Sequence, residues 1–446
     1  MLNVCIIGTG YVGLVTGTCF AEIGHHVVCV DTDPDKIARL KKGEIPIYEP
    51  GLSDLVLKNV AEGRLSFSID ISEVARSPHD FYFLAVGTPS RDEDGAADLS
   101  YVYQATEDAA IAIKEADTEG RQFPVFVTKS TVPVGTSKAI STLVGKHLPA
   151  DRFAVASNPE FLREGNAVQD FMEPDRIVVG SRSERARTLL EVLYRPLTRS
   201  GRPLVVTSTV ETAELIKYAA NAFLATKVTF INELSRLCEK VGANVQALSL
   251  GIGLDPRIGN QFLNAGPGYG GSCFPKDTKA LVKTAIDNDS PIEIVEAVVR
   301  ANDRHKNAMV EKIRTTLGGS LSSKRIAVLG LAFKANTDDM RDAPALTIIP
   351  ALRAYGAEIT AYDPIAEEQA KKFLPDIRYE QTVESTLIDA DAVVILTEWP
   401  DFQTLNWTSL AEKMASPVII DLRNIYSDAK AKSMGMVYVS LGRPEE

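Results

Sequence analysis

A chain of 446 residues is too long for a single hydrophobic core, so two or three domains are expected. Apolar residues make up 45% of it and charged residues 24%, the balance of a globular protein, and no apolar run reaches the ~18 residues of a membrane span. The formal net charge of −11 argues against a nucleic-acid partner, which needs a basic face.

The N-terminal stretch alternates strand and helix patterns. Met1-Leu-Asn-Val-Cys-Ile-Ile-Gly8 is an apolar strand entering a glycine turn, with neither the basic segment nor the cleavage site of a secretory signal. A cytoplasmic protein is expected. Strands are predicted at 3–8, 26–31, 81–86, 125–129 and 154–157, and helices at 11–24, 35–42, 102–116 and 136–148. Short apolar strands separated by amphipathic helices imply a parallel sheet covered on both faces. From Thr209 to Val241 no proline or glycine interrupts a helical pattern, which at 1.5 Å per residue gives a helix about 50 Å long. Such a helix crosses between domains or lines an oligomer interface. Its apolar positions, among them Leu215, Ala219, Ala222, Phe223 and Phe230, are too many for one narrow stripe, so a homodimer is expected. A helix pair is predicted within 279–317. Strands at 324–329, 358–362, 392–396 and 418–420, with a helix at 344–355, then mark a second, smaller nucleotide fold. The expected architecture is α/β: two Rossmann-like doubly wound domains joined by a long central helix, divided at 1–205, 206–318 and 319–446.

Five cysteines without a C-x-x-C pair argue against both a disulfide framework and a zinc site, and no metal is expected. Cys5, Cys19, Cys29 and Cys238 fall within strand or helix patterns and read as small buried hydrophobes. None of the five histidines sits in a motif.

Gly8-Thr9-Gly10-Tyr11-Val12-Gly13 follows a strand, opens a helix, and precedes Asp31 at the end of the next strand. That context makes it a dinucleotide fingerprint rather than a chance glycine triplet. Gly8 permits the turn, Gly10 lets backbone approach a pyrophosphate, and Gly13 lets the helix pack on the strand. The free N–H groups of the helix start face the phosphates. Asp31 would hold the adenosine ribose and repel a 2′-phosphate, and no arginine follows it immediately. NAD is therefore expected over NADP.

Cys273 lies in Phe262-Leu-Asn-Ala-Gly-Pro-Gly-Tyr-Gly-Gly-Ser-Cys-Phe-Pro-Lys-Asp277, behind glycines 266, 268, 270 and 271. A mobile loop of this kind is expected to wrap a ligand with exposed N–H groups. A thiolate near Lys276 and a helix start would be nucleophilic, whereas the alternative is a small loop side chain. Asp277 follows four residues on, one helical turn away. Lys217 and Asn221 share a face of the long helix, where they suit an oxyanion site, although spacing alone equally fits a solvated or capping pair.

These motifs, together with Val86-Gly-Thr-Pro89, Lys129-Ser-Thr-Val-Pro133, Asn158-Pro-Glu-Phe-Leu-Arg-Glu-Gly165 and Phe333-Lys334…Thr337-Asp-Asp-Met-Arg341, run in order over nearly the whole chain. In this they resemble the nucleotide-sugar dehydrogenases of the UDP-glucose/GDP-mannose dehydrogenase family. Arg257-Ile-Gly-Asn260 with Phe262-Leu-Asn-Ala-Gly266 resembles the members that oxidise UDP-glucose.

The resemblance implies oxidation of UDP-glucose to UDP-glucuronate with two NAD and one water, through a thiohemiacetal and a thioester on Cys273. It implies that Lys217 and Asn221 hold the C6 oxygen, that Asp277 orders a water and shares the general-base work, and that Glu160 activates the hydrolytic water beside Thr131. Glu164, Lys276, Arg341 and Lys36 would touch the cofactor together with Tyr11 and Val12. The sugar nucleotide would be lined by Glu160, Phe161, Leu162, Arg163 and Glu164, by Phe262, Leu263, Asn264, Ala265 and Gly266, and by Gly270, Lys334 and Arg423. Arg257 would reach the neighbouring subunit's substrate, and the active site would lie in a cleft between two α/β domains. Three rivals stand beside this: a dehydrogenase of GDP-mannose or a UDP-N-acetylhexosamine, a two-electron β-hydroxyacid dehydrogenase, and a binding protein that has lost catalysis. The β-hydroxyacid dehydrogenase leaves the Gly-Gly-Ser-Cys loop unexplained, and intact Cys273, Lys217, Asn221 and Asp277 argue against lost catalysis.

Overall fold

The computed structural model describes residues 1–89, 91, 97–117 and 122–444, with Asp428 given by its backbone alone. The chain divides into two compact units, Met1–Ala220 and Asn221–Glu446. The first holds strands β1 (Asn3–Ile7), β2 (His26–Val30), β3 (Leu65–Ser68), β4 (Phe81–Leu84), β5 (Val125–Thr128), β6 (Ala154–Ser157), β7 (Ile177–Ser181) and β8 (Leu204–Thr207). They form one sheet in the order 3-2-1-4-5-6-7-8. The second unit holds β9 (Arg325–Leu329), β10 (Glu358–Tyr362), β11 (Arg378–Tyr379), β12 (Ala392–Ile395), β13 (Val418–Asp421) and β14 (Val437–Ser440), in the order 11-10-9-12-13-14.

Both sheets follow from continuous apolar strands. Along β1, Val4 and Ile6 pack with Phe20 and Phe83 on one face, while Cys5 and Ile7 pack with Tyr82 and Leu84 on the other. Period-two alternation between two buried faces is what a helix-covered sheet requires. Cys5, Cys19, Cys29 and Cys238 are buried as expected, and burial pushes the thiols of Cys19 and Cys29 up to about 12. The first sheet is not wholly parallel, because β7 returns antiparallel to β6. The strand patterns named from sequence omit β3, β7 and β8 in this sheet and β11 and β14 in the second. In β3 only Leu65 and Phe67 are buried, and β8 exposes Val205 and Val206 at the sheet edge.

The uninterrupted helix spans Val210–Val241, one residue shorter than its pattern. It departs from a simple amphipathic helix, because polar side chains are buried among apolar ones such as Ala213, Tyr218 and Ile231. Glu214, Lys217, Asn221, Asn232 and Ser235 are buried, whereas Phe223 is 65% and Phe230 51% exposed. Buried polar groups need partners, so this helix is where specific hydrogen bonding is to be sought.

Candidate active site

In the first unit β1 ends in a turn at Gly8, and the helix Tyr11–Glu22 begins at once. Gly8 has φ of 103°, and a Cβ there would stand 2.6 Å from the Ala85 carbonyl oxygen. At Gly10 the opposite holds: a Cβ would meet no atom within 4 Å. The fold itself therefore does not require glycine at position 10, which fits a backbone kept bare for a bound group. Asp31 accepts from the Thr9 N–H at 2.8 Å, the Thr9 hydroxyl at 2.7 Å and Lys36 Nζ at 3.1 Å. Burial pushes its carboxyl up, yet these bonds and the Asp33 N–H hold it below the ordinary range. Turn, helix start and ionised acid fit a dinucleotide with unmodified ribose.

The loop after β6 carries Glu160, whose Oε1 accepts from Lys217 Nζ at 2.8 Å while Oε2 accepts from the Leu162 N–H at 2.6 Å. Both side chains are about 5% exposed or less. Burial opposes ionisation of Glu160, but the charge and hydrogen bond of Lys217, with Lys129 nearby, hold its carboxyl below the usual range. Lys129 donates to Asn158 Oδ1 at 3.1 Å, and burial, helped by repulsion from Lys217, lowers it to about 8 against the pull of Glu160. Phe161 lies under the Arg176 guanidinium at 3.6 Å, and Arg163 is exposed and paired with Asp170. Leu162, Glu164 and Thr131 are partly buried, and the Thr131 carbonyl accepts from the Thr88 hydroxyl at 3.0 Å.

One helical turn beyond Lys217, Asn221 donates from Nδ2 to Asp277 Oδ2 at 2.6 Å. Asp277 belongs to the helix Phe274–Asp287, whose N-cap residue is Cys273, and its N–H donates to the Cys273 carbonyl at 2.8 Å. The thiol is partly exposed, 3.4 Å from the Ser272 hydroxyl, and Lys276 Nζ lies 3.9 Å from Asp277 Oδ1. Spacing left Lys217 and Asn221 open as a solvated pair. The fold buries both and binds each to a carboxylate.

The glycine-rich segment corrects the sequence reading. It is not a loose wrap with exposed N–H groups: Gly266–Gly271 are all buried. The Gly266 N–H donates to Asn232 Oδ1 at 2.9 Å, and its carbonyl accepts from His305 Nε2 at 2.8 Å. Asn302 takes the Tyr269 N–H at 2.9 Å and donates to the Tyr269 carbonyl at 3.2 Å. Gly271 donates to the Arg341 carbonyl at 2.8 Å. A Cβ on Gly270 would fall 2.3 Å from the Asp342 carbonyl oxygen, so close packing of backbone on backbone demands that glycine. Residues 302, 305 and 306 are three and four apart on the helix Glu293–Thr316, a spacing that signals a shared face.

Nearby in the same unit, Phe262 has φ of 63°, Leu263 and Ala265 are buried, and Asn264 is exposed. Arg423 donates from Nε to the Leu396 carbonyl and from Nη2 to the Phe333 carbonyl, both at 2.7 Å, with its guanidinium facing Gly266. Lys334 Nζ is 5.5 Å from the Phe333 ring centre, and Arg341 is paired with Asp339. Arg257 is exposed and paired with Asp255. Sequence reasoning missed Glu49, Asn232, Asn302 and His305. For the last three, polar residues within a helical apolar pattern were an available signal. Glu49 offered none.

Three domain models of the UDP-glucose/GDP-mannose dehydrogenase family match the chain: the NAD binding domain over residues 2–198, the central domain over 211–304 and the UDP binding domain over 327–428. The UDP-glucose 6-dehydrogenase of Rhizobium meliloti is 53% identical over 446 residues, the whole of both chains. The UDP-glucose 6-dehydrogenase TuaD of Bacillus subtilis is 48% identical over 100% of this chain and 94% of its own. A UDP-glucose dehydrogenase structure from Pyrobaculum islandicum superposes with a TM-score of 0.90 at 37% identity, covering 98% of this chain and 97% of that one.

Proposed function

Because this chain belongs to the UDP-glucose/GDP-mannose dehydrogenase family, we propose that it oxidises C6 of UDP-glucose from alcohol to acid, with two NAD and one water, through a thioester on Cys273. The observation that carries the reading is the pair of buried contacts one turn apart on a single helix, Lys217 with Glu160 and Asn221 with Asp277. Full-length likeness to two UDP-glucose 6-dehydrogenases supports UDP-glucose over the rival sugars.

NAD, when bound at the Gly8–Gly13 turn beside Asp31, Lys36, Glu164, Lys276 and Arg341, supplies the hydride acceptor. Lys217 and Asn221 hold the C6 oxygen and offset its developing charge. Loss of one hydride, and of one proton to the water that Asp277 orders as it shares the general-base work, leaves an aldehyde, whose carbon has no second hydride to give until a nucleophile adds. Cys273 adds, restoring a tetrahedral carbon bearing hydrogen and oxygen, and keeps the aldehyde from escaping. Loss of the second hydride leaves a thioester. Glu160, held ionised by Lys217, takes a proton from water near Thr131, and that water displaces the thiol as the acid forms. Asp277 orders the water. The sugar nucleotide is lined by residues 160–164 and 262–266, with Gly270, Lys334 and Arg423.

The same reading keeps three parts, 1–205, 206–318 and 319–446, a cytoplasmic location, and a homodimer in which Arg257 reaches the partner's substrate. No helix among the described residues is long and apolar enough to cross a membrane. Phe223, Phe230, Leu237 and Val241, exposed along one helix, support a second copy covering that face.

Cys273→Ser tests the covalent step. With UDP-glucose and NAD it should retain part of the first oxidation and accumulate a sugar-nucleotide ester visible by mass spectrometry, since an alkoxide leaves less readily than a thiolate. Cys273→Ala should form no adduct and no more than traces of aldehyde. Near-normal acid formation by Cys273→Ala would overturn the covalent route.

A further inference from the structure

Glu49 lies in the segment before the helix Leu52–Ala61, far in sequence from every residue assigned above to the loop after β6, yet it is 6% exposed. Its Oε1 accepts the N–H of Ala167 at 2.7 Å, across 118 residues of sequence. Its Oε2 accepts the N–H of Gly165 at 2.8 Å and also the hydroxyl of Tyr11. The Gly165 N–H reaches the Tyr11 oxygen as well, at 3.1 Å. Asn166, the residue before the helix Ala167–Met172, makes no side-chain cap bond, so the carboxylate of Glu49 does that work from another part of the chain. Burial and the neighbouring carboxylate push the Tyr11 hydroxyl far above its ordinary range, so it stays a neutral donor to Glu49.

Tyr11 opens the helix that follows the dinucleotide turn, and Gly165 closes the loop that begins at Glu160. One buried carboxylate thus ties these two segments together within the first unit. We propose that Glu49 is a positioning residue that couples cofactor binding to sugar-nucleotide binding through the Tyr11–Glu49–Gly165 link. This rests on the reading above, in which the turn holds NAD and the 160–165 loop lines the sugar nucleotide. Ordering the turn around the cofactor restrains Tyr11, and Tyr11 restrains the carboxylate that sets the loop. The second ligand then meets a loop already held. By linkage the same factor applies in either order of binding.

The test uses the full-length protein. NADH affinity is measured by nucleotide fluorescence with and without saturating UDP-glucose, and UDP-glucose affinity by calorimetry with and without NADH. In the unaltered protein each ligand should tighten the other by about five-fold or more, with the two factors equal. Tyr11→Phe leaves Glu49 capping Gly165 and Ala167 but removes the tie to the turn, and should bring the factor close to one. Glu49→Ala should do the same and raise the KM for UDP-glucose roughly tenfold with a smaller change in kcat. Glu49→Gln, which keeps one acceptor oxygen, should fall between. A residue that only stabilises the fold would lower the melting temperature and leave the factor intact. If Glu49→Ala does not fold, Tyr11→Phe decides. A factor of one in the unaltered protein, or an unchanged factor in Tyr11→Phe, overturns the coupling while leaving the site reading in place. Failure of the unaltered protein to bind either ligand instead overturns the site reading, and the coupling with it.

Discussion

In the first unit β1 ends at Ile7, Gly8 turns, and a helix begins at Tyr11; in the second β9 ends at Leu329, Gly330 turns, and the helix begins only at Ala345. The turns themselves match. Gly8 donates to the Val30 carbonyl at 2.7 Å and Gly330 to the Tyr362 carbonyl at 2.8 Å, and both have positive φ. A Cβ on Gly330 would meet the Thr397 backbone nitrogen at 2.8 Å, much as one on Gly8 meets Ala85. Two positions later the units part. Gly10 faces open space, while the corresponding residue of the second unit, Ala332, is buried. The aspartates after the second strand of each sheet differ as well. Asp31 keeps part of its surface exposed, whereas Asp363 is sealed. Asp363 accepts the N–H groups of Leu331, Ala332, Ile365 and Ala366 and the indole of Trp399. A doubly wound sheet supplies the turn, but a dinucleotide also needs a helix start at that turn and an acid that keeps part of its surface open. Only the first unit has both, in keeping with its NAD-binding match and with the UDP-binding match of the second.

The largest expected effect separates the two aspartates. Asp363→Ala leaves five N–H donors, four of them in buried bonds, without their acceptor and should cost about 3 kcal/mol or more of stability, read from urea denaturation. Asp31→Ala should cost about 1 kcal/mol in the same assay but raise the KM for NAD roughly tenfold and narrow the preference over NADP. Equal destabilisation by the two substitutions would break the comparison.

Gly10→Ala and Ala332→Gly sharpen it at the next residue. The first should leave the melting temperature within a degree or two, because its methyl has room, yet weaken NADH binding. The second should cost about 1 kcal/mol through backbone entropy and a lost buried methyl, without any effect on NADH affinity.

The smallest effect is a pH dependence confined to the second unit. Burial lowers His305 from 6.5 to about 4, opposed by its bond to the Gly266 carbonyl. Between those values the unfolded chain binds a proton that the folded chain refuses, so stability present above pH 6.5 is lost as pH falls towards 4. At pH 5.5 the loss should be about 1 kcal/mol, and His305→Gln should flatten it. Urea midpoints measured from pH 5 to 8 check this, and identical slopes for both proteins would refute it.

Much of the fold was legible because it is local. Ala154–Ser157 and Glu358–Tyr362 match their patterns to the residue, and the long helix starts one residue late. Strand β7 and its antiparallel return were not legible, since nothing in Ile177–Ser181 distinguishes one strand direction from the other. The dinucleotide turn was legible as six consecutive residues with an acid one strand later. For Cys273 and Asp277 the spacing of four anticipated the N-cap and the first helical turn.

The sequence by itself determined the periodic elements, the turn glycines and the helix that carries Lys217 and Asn221, because those depend on neighbours within a turn or a strand. Only the tertiary structure decided which polar groups are buried and with whom: Lys217 with a carboxylate 57 residues away, Asn221 with one 56 away, Gly266 with His305 across 39. It likewise decided that the glycine-rich segment is clamped rather than loose. The physical reason is desolvation. A polar side chain is tolerated inside only where packing brings it a partner, and that partner is selected by the fold in space, not by distance along the chain.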